Sequence, residues 1–267
     1  MPVASELLAT WEMGQSAGDA RRALLLHALA RPSADPDQLL GVPVGERDAE
    51  LFAMRKALFG PRMEVRLSCA GCAEEIEFAL DTDEISAVGP ARRDPIRVEV
   101  EEWEVLFRLP TPADLTAAAA TAASDGASDG ASDADADGEG AADVGGRAVA
   151  AARRTLLSRC VVEATRAGRP AAAGELPEPV QRAVAAAAER ADPGADVRLD
   201  APCPECGHHT KVELDIVSFL WSELDAWARG VLLDVHLLAI SYGWTEPDVL
   251  ALSPLRRRYY LELAGHV

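Results

Sequence analysis

The sequence predicts an α+β protein, in which helical segments at both ends of the chain surround a small antiparallel β-sheet that a long insertion splits. Three observations predict this class. Short runs that alternate apolar and polar residues flank each of two Cys-x-x-Cys turns, and this is the period of a half-buried strand. Apolar residues recur at helical spacing near both ends of the chain. An acidic low-complexity tract lies between the two cysteine turns.

The bulk composition excludes several classes of protein. The chain of 267 residues has a formal net charge of −18, which disfavours a general nucleic-acid binder, because such proteins gain affinity by neutralising phosphates. The start of the chain lacks the apolar core of a signal peptide, and no apolar run has the length of a membrane span. Five cysteines without a secretory signal fit a reducing compartment. We therefore expect a cytoplasmic protein without a membrane partner.

Residues 1–60 are predicted to form the N-terminal helices. Gly14 and Gly18 divide the first two helices, and Gly60, followed by a proline, ends the third. His27 lies among leucines, so we interpret it as a core or rim histidine and not as a ligand.

Residues 61–110 are predicted to hold the first hairpin, whose turn carries Cys69 and Cys72. A second pair of strands follows it and is expected to extend the same sheet. The predicted strands are 63–67 and 75–80 around the turn, then 96–100 and 104–109.

Residues 111–195 are predicted to form the insertion. Thr111 is the expected N-cap of its first helix. Residues 122–146 are rich in Asp, Ser and Gly and are expected to be a disordered acidic loop, because such a tract cannot bury enough surface to offset its ordering entropy. Two further helices are predicted, over 147–166 and 176–192.

The second hairpin is predicted over 196–216, with Cys203 and Cys206 in its turn, and 217–267 are predicted to form the C-terminal helices. The longest spans residues 219–242 and has a broad apolar face, which we interpret as core packing, with a docking face as the alternative. Gly243 is placed to end this helix, and Thr245 and Ser253 are placed to cap the two helices after it.

Cys69, Cys72, Cys203 and Cys206 are the candidate metal ligands. Two residues between paired cysteines in a strand–turn–strand frame let both sulfurs aim at one point, and two such turns supply four thiolates in a tetrahedron, which suits zinc. Compact zinc ribbons place their pairs about 15–20 residues apart, and here the separation is far longer. Long insertions add little closure entropy, so the halves are still expected to meet. The sequence thus predicts a zinc ribbon holding a structural Zn²⁺.

Other interpretations of the cysteines remain open from sequence alone. A dithiol redox pair would need a βαβ setting and an activated thiolate near a helix start, which neither turn has. A disulfide would fit a secreted protein better. His208 and His209 follow the second pair closely and could replace a ligand, although a solvent-facing or supporting role is simpler. Cys160 lies in an alanine-rich stretch and is interpreted as a small buried residue.

Several stretches in order resemble one protein family. The most similar stretches lie towards the C-terminus and are 192–193, 199, Cys203-Pro204-Glu205-Cys206-Gly207, 219–221, 234–239, Tyr242-Gly243-Trp244-Thr245-Glu246 and 252–257. The others are 8–12, 45–48, 55–60, 69–72, 77–78, 108–111 and 114–115. Together they resemble the baseplate proteins grouped with a hub assembly protein of T-even contractile-tailed phages, whose relatives occur in gene clusters of phage-like contractile injection systems. The first cysteine turn departs from the pattern, because Ala73 stands where a glycine is expected.

The resemblance implies a baseplate component or a baseplate assembly chaperone whose partners are other baseplate and tail proteins. It also implies that the chain could end in an intracellularly assembled tail-like particle. No Ser-His-Asp set, glycine-rich phosphate loop, His-Glu-x-x-His motif or carboxylate pair makes a convincing active site, so no enzymatic activity and no small-molecule substrate are expected.

Two alternatives come from other functional classes. A zinc-ribbon adaptor for nucleic acid, or for a protein outside a tail assembly, would need a suitable ribbon face; for nucleic acid this face would be basic, yet acidic residues outnumber basic ones on both hairpins. An enzyme would need a reactive thiol at Cys69 or Cys203.

Overall fold

The computed structural model describes residues 2–86, 94–128 and 140–266. Helices dominate this part of the chain, and its strands form three small antiparallel sheets, two of them two-stranded hairpins and one four-stranded. This mixture of helices and small antiparallel sheets confirms the α+β class. None of the described helices combines the length and the hydropathy that crossing a bilayer requires.

The N-terminal helices begin and end close to the predicted places. They are α1 (Ala4–Gly14), α2 (Asp19–Ala30), α3 (Pro36–Leu40) and α4 (Val44–Phe59). The short α3 lies in a segment without a predicted helix; it forms because the carboxylate of Asp35 accepts the Gln38 N–H at 2.9 Å. The core interpretation of His27 is confirmed, since its ring is buried and its Nε2 lies 2.9 Å from Glu50 Oε2.

Each cysteine turn connects the two strands of an antiparallel hairpin, as predicted. The first consists of β1 (Arg62–Ser68) and β2 (Glu75–Asp81), followed by the short helix α5 (Thr82–Ser86). The second consists of β7 (Arg198–Pro202) and β8 (His209–Glu213).

The second predicted pair of strands does not extend the ribbon sheet, so this prediction was wrong. Strands β3 (Ile96–Val100) and β4 (Trp103–Phe107) join β5 (Val161–Arg166) and β6 (Arg169–Pro170) in a separate sheet of order β3-β4-β5-β6. The apolar face of β4 packs on helix α8 (Glu178–Ala191), and its second edge pairs with β5. The helix predicted to reach residue 166 ends at Cys160, because the β-branched residues after it complete this sheet.

The predicted disordered loop over 122–146 is partly replaced by helices. Helix α6 (Pro112–Ser128) begins after Thr111, as predicted, and α7 (Gly140–Cys160) starts before the predicted helix. Residues 129–139 of the loop lie outside the described residues. The ends of the tract are helical because alanine has the highest helix propensity and α6 packs along α7. In that contact, Thr155 Oγ1 donates to Thr121 Oγ1 at 3.2 Å.

The C-terminal helices confirm the predicted ends and caps. They are α9 (Ile216–Tyr242), α10 (Glu246–Leu250) and α11 (Pro254–Leu263). Gly243 takes a left-handed φ of 70° after α9. Thr245 caps α10 and Ser253 caps α11. One side of α9 packs with α1, α2 and α4 in the largest core cluster, so the core interpretation of this helix is confirmed.

A buried arginine joins α4, the first hairpin and α9. Arg55 is 2% exposed. Its Nε and Nη2 donate to the carboxylate of Glu223 at 2.8 and 2.6 Å. Its Nη1 and Nη2 also donate to the backbone carbonyls of Gly60 and Arg62, at 2.6 and 2.7 Å. The guanidinium therefore sets how the first hairpin leaves the helical core.

We expect Arg55→Leu to lower the free energy of unfolding by about 3 kcal/mol, because it leaves the mostly buried Glu223 carboxylate and two carbonyls without their donor. Urea unfolding measures the change. The matched control is Arg229→Leu, which removes an exposed ion pair to Asp225 and should cost under about 1 kcal/mol. Equal losses in the two variants would contradict the assigned role of Arg55.

Candidate metal centre

The four predicted ligands lie together in the structure. Their Sγ atoms are all within 4.8 Å of one another. Cys69 Sγ lies 3.6 Å from Cys206 Sγ, and Cys72 Sγ lies 3.7 Å from Cys203 Sγ. In a zinc–thiolate tetrahedron with bonds of about 2.3 Å, neighbouring sulfurs are roughly 3.8 Å apart. The sulfur positions therefore suit a metal ion bound by one pair of cysteines from each hairpin.

The two cysteine turns have the same backbone hydrogen bonds. In the first, the Cys69 N–H donates to the Glu74 carbonyl at 2.8 Å, and the Ala73 N–H donates to the Cys69 carbonyl at 2.9 Å. In the second, Cys203 forms the equivalent bonds with His208 and Gly207, both at 2.9 Å. This repeated turn places the two sulfurs of each pair on the same side of its hairpin.

The hairpins contact each other beyond the sulfurs. Ile76 and Ala201 are buried in one small cluster with Cys69 and Cys203. The Ala70 N–H donates to Thr210 Oγ1 at 3.1 Å, which joins the first turn to β8. These contacts hold the two turns face to face, so the site has a packed base of protein atoms.

A glycine permits the close approach of the two turns. A Cβ atom added to Gly71 would lie 3.0 Å from His208 Cβ, which is tighter than ordinary packing allows. The absence of a side chain at residue 71 therefore favours the close approach of the two turns.

Each turn contributes one buried and one exposed cysteine, Cys69 and Cys203 being buried and Cys72 and Cys206 exposed. Hydrogen bonds, first from the Cys72 N–H and then from the Gly71 N–H, lower the pKa of the Cys69 thiol to about 6. At Cys72 the Glu74 N–H lowers the pKa, but the neighbouring thiols, together with a partial loss of solvent contact, outweigh it and raise the pKa to about 12. A divalent cation would remove protons from all four thiols, because it binds the thiolate form.

The setting of the cysteines argues against a redox pair. Both pairs lie in β-hairpin turns, and neither is at the start of a helix. All five cysteines have free thiols. Cys160 lies apart from the other four, buried at the end of α7, and burial raises its pKa to about 11. It is the small buried residue that the sequence predicted.

The two histidines after Cys206 are not part of the cluster of ligand atoms in the described part of the chain. Both are exposed. His209 Nδ1 lies 2.9 Å from Asp200 Oδ1 on the neighbouring strand. His208 supports the turn through its backbone carbonyl. The structure therefore places them beside the sulfur cluster as supporting residues.

Ala73 is the residue whose role the sequence left unexplained. It adopts a left-handed φ of 61°, and Gly207 has a φ of 71° at the equivalent position of the second turn. The first turn is therefore as tight as the second, although alanine at this φ is strained by about 1–2 kcal/mol. The contribution of Thr210 was missed, because its contact with Ala70 joins strands far apart in the chain and leaves no local signal.

Comparisons of the chain with protein-family models, with curated proteins and with solved structures find no match.

We expect Ala73→Gly to raise the free energy of unfolding by about 0.5–1 kcal/mol, because glycine reaches a positive φ without strain but loses more chain entropy on folding. The reciprocal variant, Gly207→Ala, should lower it by about 1 kcal/mol. Urea unfolding of both variants at a fixed zinc concentration checks the pair. A loss of stability in Ala73→Gly would show that the two turns are not equivalent.

Proposed function

We propose that this chain is a non-enzymatic component or assembly chaperone of a contractile-tail baseplate, stabilised by one structural Zn²⁺. The proposal of a bound metal ion rests on one observation, which is that four cysteine sulfurs lie together at tetrahedral spacing. They come from cysteines 131 and 137 residues apart in the chain. Cysteines this distant rarely meet at such spacing by chance, and thiolate sets of this kind favour zinc over harder cations.

The metal is structural in this proposal. Four cysteine thiolates complete a tetrahedral shell and leave no open position for substrate or water. The bound ion links the two hairpins and so closes the insertion between them at its base. Since the hairpin–hairpin cluster contains few buried residues, metal binding contributes much of the stability of this contact.

The baseplate part of the proposal is supported by the ordered resemblance along the sequence. Three of the resembling stretches supply polar or charged residues that join different elements of the fold. One supplies Arg55, described above, and the others supply Arg108, Thr111 and Asp114. The net charge of −18 favours basic surfaces on its tail-protein partners.

The ion pairs of the exposed hairpin arginines argue against the alternative function of a nucleic-acid adaptor. Arg66 pairs with Glu77 at 2.8 Å, and Arg198 pairs with Asp196. Their charge is thus offset by carboxylates on the same hairpins, which leaves little positive charge to neutralise phosphates.

The purified chain is expected to carry one zinc ion, measured by metal analysis and native mass spectrometry. Cys203→Ser should weaken zinc binding by well over about 100-fold, because losing a ligand costs more than losing a group that only orients one. The matched control is Cys160→Ser, which removes the buried cysteine outside the cluster and should keep the full metal content. A folded Cys203→Ser protein with undiminished zinc would rule out the site.

Co-expression with the tail proteins of its own gene cluster is expected to yield a stable complex that contains this chain. Native mass spectrometry identifies the partner, and quantitative mass spectrometry of finished particles separates a subunit that stays from a chaperone that leaves. Failure to bind any tail protein, together with salt-dependent binding to plain duplex DNA, would favour the adaptor instead.

A further inference from the structure

The four-stranded sheet between the two cysteine hairpins has an edge strand without a partner among the described residues. Strand β3 pairs only with β4, and a two-residue turn joins them. Residues that flank a two-residue turn exchange both of their backbone hydrogen bonds, so Val100, and with it Val98 and Ile96, direct their N–H and C=O groups at β4. The backbone groups of Arg97 and Glu99 therefore point outward, where another extended chain could pair with them.

A groove runs along this edge between β3 and α8. The side chains of Trp103, Val105 and Phe107 on β4 are buried under α8. The residues opposite them on β3 share this face but are only half-buried. They are less covered because α8 presents alanines beside β3, including Ala183 and Ala187. The space left has a volume of about 810 Å³.

The lining of the groove suits one kind of occupant. An extended segment paired with β3 would point every second side chain into the groove, onto the valines of β3 and the alanines of α8. Arg190 also lines the groove, is exposed and forms no ion pair within the described part of the chain. A carboxylate on the incoming segment would be attracted to it. A helix could fill the groove but would leave the outward backbone groups of β3 unpaired.

We propose that the groove between β3 and α8 binds an extended segment of a partner protein, which adds to the sheet as a strand beside β3. The segment alternates apolar residues and carries a carboxylate that reaches Arg190. This mode of recognition takes affinity from main-chain hydrogen bonds and specificity from alternate side chains. It does not depend on the zinc site or on the baseplate assignment, since the groove is built from β3 and α8, which both lie between the two cysteine hairpins in the sequence.

The proposal is tested by selecting short displayed peptides on the full-length protein and measuring their affinities by fluorescence anisotropy. Glu99→Pro removes an outward N–H without removing a bond to β4, so it should weaken binding by at least about fivefold. Its control, Glu99→Ala, keeps the N–H and should bind like the unchanged protein. Hydrogen exchange should show the amides of Arg97 and Glu99 becoming protected when a peptide binds.

A second pair of variants tests the groove independently of the strand edge. Ala183→Leu fills the groove and should also weaken binding by at least about fivefold. Its control, Ala185→Leu, adds the same side chain at an exposed position of α8 and should leave peptide binding unchanged. The proposal is overturned if no peptide is selected, if selected peptides bind Glu99→Pro and Ala183→Leu as well as the unchanged protein, or if they bind as helices.

Discussion

The meeting of two cysteine pairs from opposite ends of the insertion is the constraint on which the hairpin arrangement depends. The sulfurs lie at the distances of a thiolate tetrahedron, and among the described residues a small buried cluster and a hydrogen bond from Ala70 to Thr210 also support the contact. Everything between the hairpins can vary in length at little entropic cost, because the cost of closing a loop rises slowly with its length. This explains how so long an insertion can separate the halves of one site.

The segment between the two cysteine hairpins has its own hydrophobic cluster, made by the four-stranded sheet and α8. A buried carboxylate joins its parts. Asp114 accepts hydrogen bonds from Arg108 and Arg159, at the ends of β4 and α7, and from Thr111 at the start of α6. Burial alone would raise the pKa of Asp114, but these donors hold it well below its ordinary value. The carboxylate therefore stays charged near neutral pH, and its stabilisation is present above about pH 4 and lost only as pH falls below that.

Local signals predicted much of the fold. The ends of α1, α2, α4 and α9, the caps of the last two helices and both cysteine hairpins follow from glycines, capping residues and alternation. The errors fall where partners are distant. Val161 and Val162 were assigned to the apolar side of a helix, yet both lie in β5, where Val161 pairs with Phe107 of β4, more than fifty residues earlier. Likewise β3 and β4 were assigned to the ribbon sheet, because the alternation of a strand does not indicate which other strand it pairs with.

By itself, the sequence determined the candidate ligand set, because two Cys-x-x-Cys turns in strand frames carry their chemistry locally. The two-residue spacing in each turn and the alternation of the flanking strands also predicted that each pair would aim its sulfurs at one point. Only the tertiary structure decided that the two pairs meet, that Ala73 takes a strained left-handed conformation in place of glycine, and that Thr210 joins the hairpins. The groove between β3 and α8 was likewise decided only by the tertiary structure. These features depend on contacts between residues far apart in the chain, whose energies no local pattern records.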